Sequence, residues 1–390
     1  MKNISTHLQS QFAPIRVGIL LNPYAGVGGQ LALKGSDSLT RELREQVQAN
    51  VEKGQSHAQQ RLSIVMKLLQ QQQLLHRFDL ITAPAQLGAQ ALKALNIPCR
   101  VVNLPVGSHT TADDTVRLAK ALLAEGVDLL LFAGGDGTAR DVCLAVGLQV
   151  PVLGVPAGVK MHSGVFAINP QAATDVLQEI ALGHWVSAEL AEVRDIDEMD
   201  LQQGRLRARH YGEMRVPALA NHIQQVKCSG REVEALVVAE IAAGFVESMR
   251  DDCVYALGPG TTIAAIAEQL AVKNTLLGFD LVQSGQCLAN DVTAEDLLVM
   301  AKQHQLMVVI APTGGQGSLI GRGNQQLSAA LLHHIGRENI LIVSSASKLA
   351  ELDGRPLRLD TGDATLDKLW SGLWYVHTGY QQQVLYAVQG

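Results

Sequence analysis

The sequence predicts an α/β fold whose first part is a doubly wound, mostly parallel sheet, and three observations support this prediction. Short apolar runs alternate with longer stretches of helical pattern from Ile15 to Val155, as expected for parallel strands joined by crossover helices. Glycine-rich turns follow several of the apolar runs. A length of 390 residues with 47% hydrophobic content is enough for two or three domains with apolar cores.

The first part of the chain contains five expected strands, at 15–21, 78–82, 100–103, 127–133 and 151–155. Helices are expected at 40–73, 84–95, 111–125 and from Thr138 onward. Ligands of such sheets bind beyond the carboxyl ends of the strands. Three glycine turns, at 22–29, 134–138 and 154–158, fall at those ends.

The pattern changes after about residue 185, where two short strands, 190–196 and 205–211, form a hairpin-like pair. Alternation then resumes, with helices expected at 231–250, 261–270, 294–304 and 324–336, and strands at 254–257, 275–279, 306–311 and 339–344. We expect a nucleotide-binding domain at 1–185 and a second α/β-type domain with some antiparallel strands at 186–355, with a cleft between them. A C-terminal segment, 356–390, is expected to form short strands that pack back on the first domain.

Charge and cysteine content exclude several classes of protein. The formal net charge of −6 argues against a nucleic acid or an anionic membrane as partner. The isolated cysteines lack metal-ligand spacing and indicate a reducing, cytoplasmic location; they are Cys99, Cys143, Cys228, Cys253 and Cys287. The polar residues 1–14 lack the apolar stretch of a signal peptide, and no apolar run is long enough to cross a bilayer.

The most informative motif is the turn Gly134-Gly135-Asp136-Gly137-Thr138, between a buried strand and a helix. Glycines permit close approach of a ligand, and free N–H groups at a helix N-terminus attract phosphate. Asp136 could be only a turn former or N-cap. Alternatively, it accepts a proton from an attacking hydroxyl or holds Mg²⁺ on the phosphates.

This motif resembles the signature of the superfamily of NAD kinases, diacylglycerol kinases and sphingosine kinases, and the turn with Asn22, Pro23 and Gly26 is similar to that superfamily's opening motif. Further segments, at 33–37, 154–163, 257–262, 314–326 and 359–363, resemble the ATP-NAD kinase-like family that includes the acetoin-catabolism X protein. The resemblance covers nearly the whole chain. It implies that Asp136 is the catalytic acid–base residue, with Mg²⁺ as cofactor and ATP or polyphosphate as donor.

The sequence departs from ordinary NAD kinases in two respects. It has no convincing Asn-Glu motif for the NAD site. Glu338 and Asn339 are adjacent, but they stand in the reverse order. The second half reads as α/β, whereas that of ordinary NAD kinases is rich in β-structure. These departures affect the identity of the acceptor more than the class of reaction.

Other candidate ligand residues follow strands or lie between glycines. Gly258, Gly260, Thr261 and Thr262 form either a second phosphate site or an ordinary helix cap. Two basic residues are candidate phosphate contacts: Lys160, which follows Gly158, and Arg322, which lies between two glycines. The alternative is that they are ordinary surface residues, as most lysines and arginines are. Asp280 and Asp291 are candidate magnesium ligands, or solvated acids. The metal ligands thus stay unknown.

A kinase that phosphorylates a nucleotide, with NAD as the favoured acceptor and NADP as product, is the leading hypothesis. A non-catalytic nucleotide-binding regulator needs the same turns but no acid in the loop, so Asp136 favours the kinase. A kinase for a lipid or another small molecule is a third interpretation. A dehydrogenase is disfavoured because no Gly-x-Gly-x-x-Gly follows the first strand. We expect nucleotides as small-molecule partners and a homo-oligomeric assembly.

Overall fold

The computed structural model describes residues 13–26, 41–107, 110–157, 161–196, 208–219, 231–275, 277–313 and 317–390. The chain divides into two compact units. The N-terminal unit contains Pro14–Ala181 and Ala188–Leu219, and the C-terminal unit contains Leu182–Ser187 and Ala220–Gly390. The domain limits expected near residues 185 and 355 stay predictions.

The N-terminal unit is built on a five-stranded sheet in which every pairing is parallel. Its strands are β1 (Ile15–Leu21), β2 (Phe78–Thr82), β3 (Arg100–Val101), β4 (Leu129–Gly134) and β5 (Val152–Pro156). Their order is β3-β2-β1-β4-β5. The doubly wound parallel sheet expected from the sequence is confirmed.

Helices connect these strands. They are α1 (Arg41–Glu52), α2 (His57–Gln71), α3 (Ala89–Ala94), α4 (Ala112–Ala124), α5 (Asp136–Val146) and α6 (Pro170–Ala181). Ser56 begins α2 with a capping box, in which Ser56 and Gln59 each bond the other's backbone N–H. Strand β4 is buried along its whole length, as a central strand covered on both faces must be. Strands β6 (Val186–Ile196) and β7 (Ala208–Ala218) follow, and the unit includes most of β6 and all of β7.

The C-terminal unit contains a mixed sheet with parallel strands at its centre. Its strands are β8 (Val254–Leu257), β9 (Phe279–Gln283), β10 (Gln286–Val292), β11 (Leu306–Ile310), β12 (Ile340–Val343), β13 (Leu357–Arg358), β14 (Gly372–Gly379) and β15 (Gln382–Gln389). The order is β10-β9-β8-β11-β12-β14-β15, with β13 paired to β15. The pairings β8–β11, β11–β12, β12–β14 and β13–β15 are parallel. Strand β9 pairs antiparallel with β8 and β10, and β15 pairs antiparallel with β14.

Its helices are α7 (Arg231–Ser248), α8 (Thr261–Gln269), α9 (Ala294–Gln303), α10 (Ala329–Ile335), α11 (Ala346–Ala350) and α12 (Ala364–Trp370). Alternate residues of β8 point to two different cores. Val254 and Ala256 join one cluster of buried side chains, and Tyr255 and Leu257 join the other. Both faces of the central strands are therefore covered, and the α/β character expected for this half of the chain is confirmed.

Several expected elements differ from the structure. The strand expected at 275–279 is wrong, because β9 begins only at Phe279. Strand β10 was not expected, since most of its side chains are exposed and lack an apolar pattern. The helix expected from residue 324 begins only at Ala329, with Ser328 as its cap. Asn324 instead stabilises a turn by accepting a hydrogen bond from the Gly321 N–H. No helix within the described residues is both long and apolar enough to cross a membrane.

Candidate functional site

Three turns of the N-terminal unit meet beyond the carboxyl ends of β1, β4 and β5. The Asn22 N–H donates to the Ala133 carbonyl at 3.0 Å, and the Ala157 N–H donates to the Gly134 carbonyl at 2.9 Å. The Asn22 side-chain amide donates to Thr138 Oγ1 at 2.9 Å. The structure thus brings the turns with Asn22, Gly134 and Ala157 together, as the strand-end rule for parallel sheets predicts.

Two of the glycines are required by close contacts in these turns. Gly26 has a φ of 84°, which disfavours residues with a side chain. A Cβ atom at Gly26 would lie 2.2 Å from the Ala157 carbonyl oxygen, and one at Gly134 would lie 2.5 Å from the Thr138 side chain. Pro23 is buried in the same turn as Gly26. The glycines therefore allow the turns to pack against one another.

Helix α5 begins at Asp136, two residues earlier than expected, with Gly135 at the N-cap position. The N–H groups of Asp136, Gly137 and Thr138 have no acceptor within the helix, because they lie in its first turn. The helix dipole places a partial positive charge at the same point. A phosphate or another anion is the group that such an end attracts.

The Asp136 carboxylate is buried, with 8% of the residue exposed. Its two oxygens accept the backbone N–H groups of His162, at 2.7 Å, and Ser163, at 3.0 Å. These bonds hold the segment after β5 against the start of α5. A carboxylate has about four acceptor positions, so these two bonds leave capacity for a further donor.

Strand β6 is tied to the same segment. Ser163 Oγ donates to the Arg194 carbonyl at 2.8 Å and accepts the Arg194 N–H at 3.1 Å. Arg140 of α5 forms ion pairs with Asp195 at 2.9 Å and with Asp141 at 3.3 Å. Burial raises the pKa of Asp141, although the charge of Arg140 opposes this. Asp141 is thus part of an ion-pair network that connects α5 to β6.

Two residues of α2 also reach the turns. Arg61 Nε donates to the carbonyl of Pro156, the last residue of β5, at 2.8 Å. The His57 ring is so close to Gly26 that a Cβ added there would lie 2.8 Å from its Cδ2. The sequence carried no signal for either residue, because neither lies in a glycine motif. Ser163 could have been found, since it ends one of the segments that carry the family resemblance.

The second glycine turn lies in the C-terminal unit, between β8 and α8. Gly260 has a φ of 119°, and α8 begins at Thr261. Thr262 is buried, and its hydroxyl accepts a hydrogen bond from Lys348 Nζ at 3.1 Å. The expected strand–turn–helix geometry is confirmed for Gly258–Thr262. Its role in binding phosphate stays a prediction.

A polar cluster contacts this second turn through Lys348, which lies 3.9 Å from the Glu234 carboxylate. Glu234 accepts hydrogen bonds from the hydroxyls of Ser345 and Ser347, each at 2.7 Å. Burial alone would raise the pKa of Glu234, but the two serine bonds and the charge of Lys348 outweigh it, so the pKa is lowered. Glu234 is therefore ionised at neutral pH. None of these residues was singled out from the sequence.

The remaining candidates have different outcomes. Arg322 lies in an exposed turn between Gly321 and Gly323, which have φ angles of 113° and 88°. Gly158 and Lys160 lie outside the described residues. Asp280 is buried, and its two oxygens accept hydrogen bonds from the chain. The alternative of a solvated acid is thus wrong for Asp280.

Comparison with protein families finds two matches. The ATP-NAD kinase N-terminal domain matches residues 17–185, and the ATP-NAD kinase C-terminal domain matches residues 250–388. The chain belongs to an ATP-NAD kinase-like family. A comparison with curated proteins found no matching relative.

The two family domains contain all four turns described above. Residues 17–185 include the turns with Asn22, Asp136 and Ala157, and residues 250–388 include Gly258–Thr262 and Arg322. The match to the C-terminal domain also covers the parallel strands β8, β11 and β12. The α/β pattern of this half is therefore compatible with membership of the ATP-NAD kinase-like family.

Proposed function

We propose that the protein is a kinase that transfers a phosphoryl group from ATP or polyphosphate to a hydroxyl of a nucleotide, with NAD as acceptor and NADP as product. One observation supports this proposal: within the segment that matches the family's N-terminal domain, the buried Asp136 carboxylate lies at the start of a helix, where three strand-end turns meet. A helix start attracts phosphate, and a fixed carboxylate can orient a hydroxyl.

The glycine turns would bind the phosphates. The free N–H groups at the start of α5 would donate to phosphate oxygens, and the N-terminus of α8 offers N–H groups of the same kind. Such local donors are needed because the net charge of −6 repels an anionic substrate. Phosphoryl transfer depends mainly on positioning and charge stabilisation, which these fixed dipoles supply.

Asp136 would orient the acceptor hydroxyl. The N–H groups of His162 and Ser163 fix the direction of its carboxylate, so the remaining lone pairs point in defined directions. The hydroxyl would donate to one of them and face the phosphorus atom in line with the leaving group. Removal of the hydroxyl proton by Asp136, as reaction proceeds, is compatible with the same geometry.

Magnesium would enter the site together with the phosphates. The described residues contain no group of three or more His, Cys, Asp or Glu side chains that could hold a metal ion. Mg²⁺ in such sites is commonly held by one or two carboxylates and the substrate phosphates, and binding this ion is the alternative role of Asp136 to orienting the hydroxyl. The bound ion would neutralise charge on the transferred group.

An acceptor screen tests the proposal. The purified protein is incubated with Mg²⁺ and either ATP or polyphosphate, and with NAD or other nucleotides, nucleosides and lipids as acceptors. We expect NADP to form from NAD and the donor to be consumed in equal amount. NADP is detected by an NADP-specific dehydrogenase, with reactions lacking the donor as the control.

The rival function is a nucleotide-binding regulator. It gains support from the two backbone bonds of Asp136, because they would also suit a carboxylate that only fixes a loop. Binding of NAD and ATP in calorimetry without any product, across all donors and acceptors, would contradict the kinase and favour the regulator. Turnover with a lipid but not with NAD would contradict the proposed acceptor alone.

A further inference from the structure

Arg61 lies at the turn site, the place where the turns after β1, β4 and β5 meet, and it has no charged partner among the side chains that the structure describes. It lies on the second turn of α2, and its Nε donates to the Pro156 carbonyl at 2.8 Å. Pro156 pairs with Gly134 in the sheet, and the next residue, Ala157, donates to the Gly134 carbonyl. The guanidinium is therefore anchored at the edge of the sheet where β4 and β5 end.

The charge of Arg61 is uncompensated within the described part of the chain. No carboxylate among the side chains that the structure describes lies within ion-pair distance of Arg61, and the Arg61 side chain is only partly exposed. The unit pairs other arginines with carboxylates: Arg16, Arg100, Arg117, Arg140 and Arg194. A guanidinium that no carboxylate neutralises is available to a bound anion.

His57 lies one helical turn before Arg61, so both project from the same side of α2. Burial, and then the charge of Arg61, lower the pKa of His57. The imidazole is therefore uncharged at neutral pH and does not compete with Arg61 for an anion. The His57 ring also lies against the turn at Gly26, so α2 contacts the turn after β1 as well as the end of β5.

We propose that Arg61 binds a phosphate group of the nucleotide or polyphosphate substrate, through the two terminal nitrogens that its bond to Pro156 leaves available. A guanidinium is planar and matches two phosphate oxygens at once. The inference rests on the proposed function for the identity of the anion. It adds a substrate contact from a helix that contains no glycine motif.

The test compares Arg61→Gln with Lys67→Gln, which removes one positive charge from an exposed position of the same helix. Calorimetry measures the dissociation constants of ATP and of inorganic tripolyphosphate, each with Mg²⁺. We expect Arg61→Gln to weaken both at least tenfold, and Lys67→Gln to change either by less than twofold. Arg61→Lys, which keeps the charge but loses the planar fork, should fall between them.

Circular dichroism and the melting temperature show whether each variant is folded. If Arg61→Gln does not fold, Arg61→Lys carries the comparison, and a dissociation constant equal to that of the wild type would overturn the proposal. Unchanged binding by a folded Arg61→Gln would overturn it as well, even if the kinase reaction is observed.

Arg61-dependent binding of tripolyphosphate without turnover would support this inference and contradict only the proposed function. A wild-type protein that binds neither anion would overturn the inference.

Discussion

At the scale of single residues, the function of a carboxylate depends on the groups that surround it. Asp136 and Asp280 are both buried and both accept backbone N–H bonds. Asp136 lies at a helix start beside the meeting point of three turns, whereas Asp280 lies inside β9. The motif around Asp136 was visible in the sequence, but its partners were not, because they are backbone groups of residues 162 and 163.

Asp280 is expected to stabilise the C-terminal unit. Its carboxylate accepts hydrogen bonds from the Asn274 and Asn290 side chains and from the Thr275 and Asp291 N–H groups. In Asp280→Asn, the side-chain NH₂ group would face these N–H donors, so some of them would lose their acceptor. We expect the free energy of unfolding to fall by about 1–3 kcal/mol. Urea denaturation checks this, and a loss below about 0.5 kcal/mol, the usual size of surface effects, would contradict it.

The same carboxylate is expected to contribute to acid sensitivity. Burial opposes ionisation of Asp280, but the hydrogen bonds outweigh it and lower its pKa below the ordinary value. Its stabilisation is thus complete above the unfolded pKa of about 3.9 and is lost as the pH falls further towards the folded pKa. Below about pH 4, the wild type should lose stability more steeply than Asp280→Asn. Parallel curves of unfolding free energy against pH would disprove this role.

At the scale of elements, strands that end in a glycine turn and lead into a helix were predictable from the sequence. Strand β10, which pairs with β9 through shifts in register, was not. Strand β4 and the turn after it were recognised because an apolar run ends in glycines. The start of α5 was misplaced by two residues, since Asp136 and Gly137 already adopt helical geometry. Strand β10 is exposed along most of its length and carried no apolar pattern. Arg61 was missed because a single arginine on a helix has no distinguishing neighbours in sequence.

The turn after β1 should not tolerate a side chain at Gly26. Gly26→Ala combines a left-handed backbone, which costs about 1–2 kcal/mol, with a contact 2.2 Å from the Ala157 carbonyl. Gly54→Ala is the matched control, because Gly54 lies in the same unit and also has a positive φ, of 71°, but an added Cβ there would meet nothing closer than 3.7 Å. Thermal unfolding should show a clearly larger loss for Gly26→Ala. Equal losses would show that the close contact between the turns is not structurally important.

At the scale of the whole molecule, each unit offers a glycine turn at the start of a helix, and the family match includes both turns. The fold class and the family were predictable from motifs spread over nearly the whole chain. The acceptor was not, since the Asn-Glu motif of ordinary NAD kinases is missing from this sequence. Residues that act through tertiary contacts, such as Arg61 and Lys348, became visible only in the folded chain.

The most direct measurement is the initial rate of NADP formation by Asp136→Asn. The wild type and Asp280→Asn are measured beside it, because the latter also replaces a buried, hydrogen-bonded aspartate but lies outside the turn site. We expect Asp136→Asn to fold, to bind ATP, and to lose at least a hundredfold in kcat, the lower end for a general acid–base residue. Asp280→Asn should keep its rate under conditions where it is folded. A folded Asp136→Asn with the wild-type rate would contradict the assignment of Asp136 to the reaction.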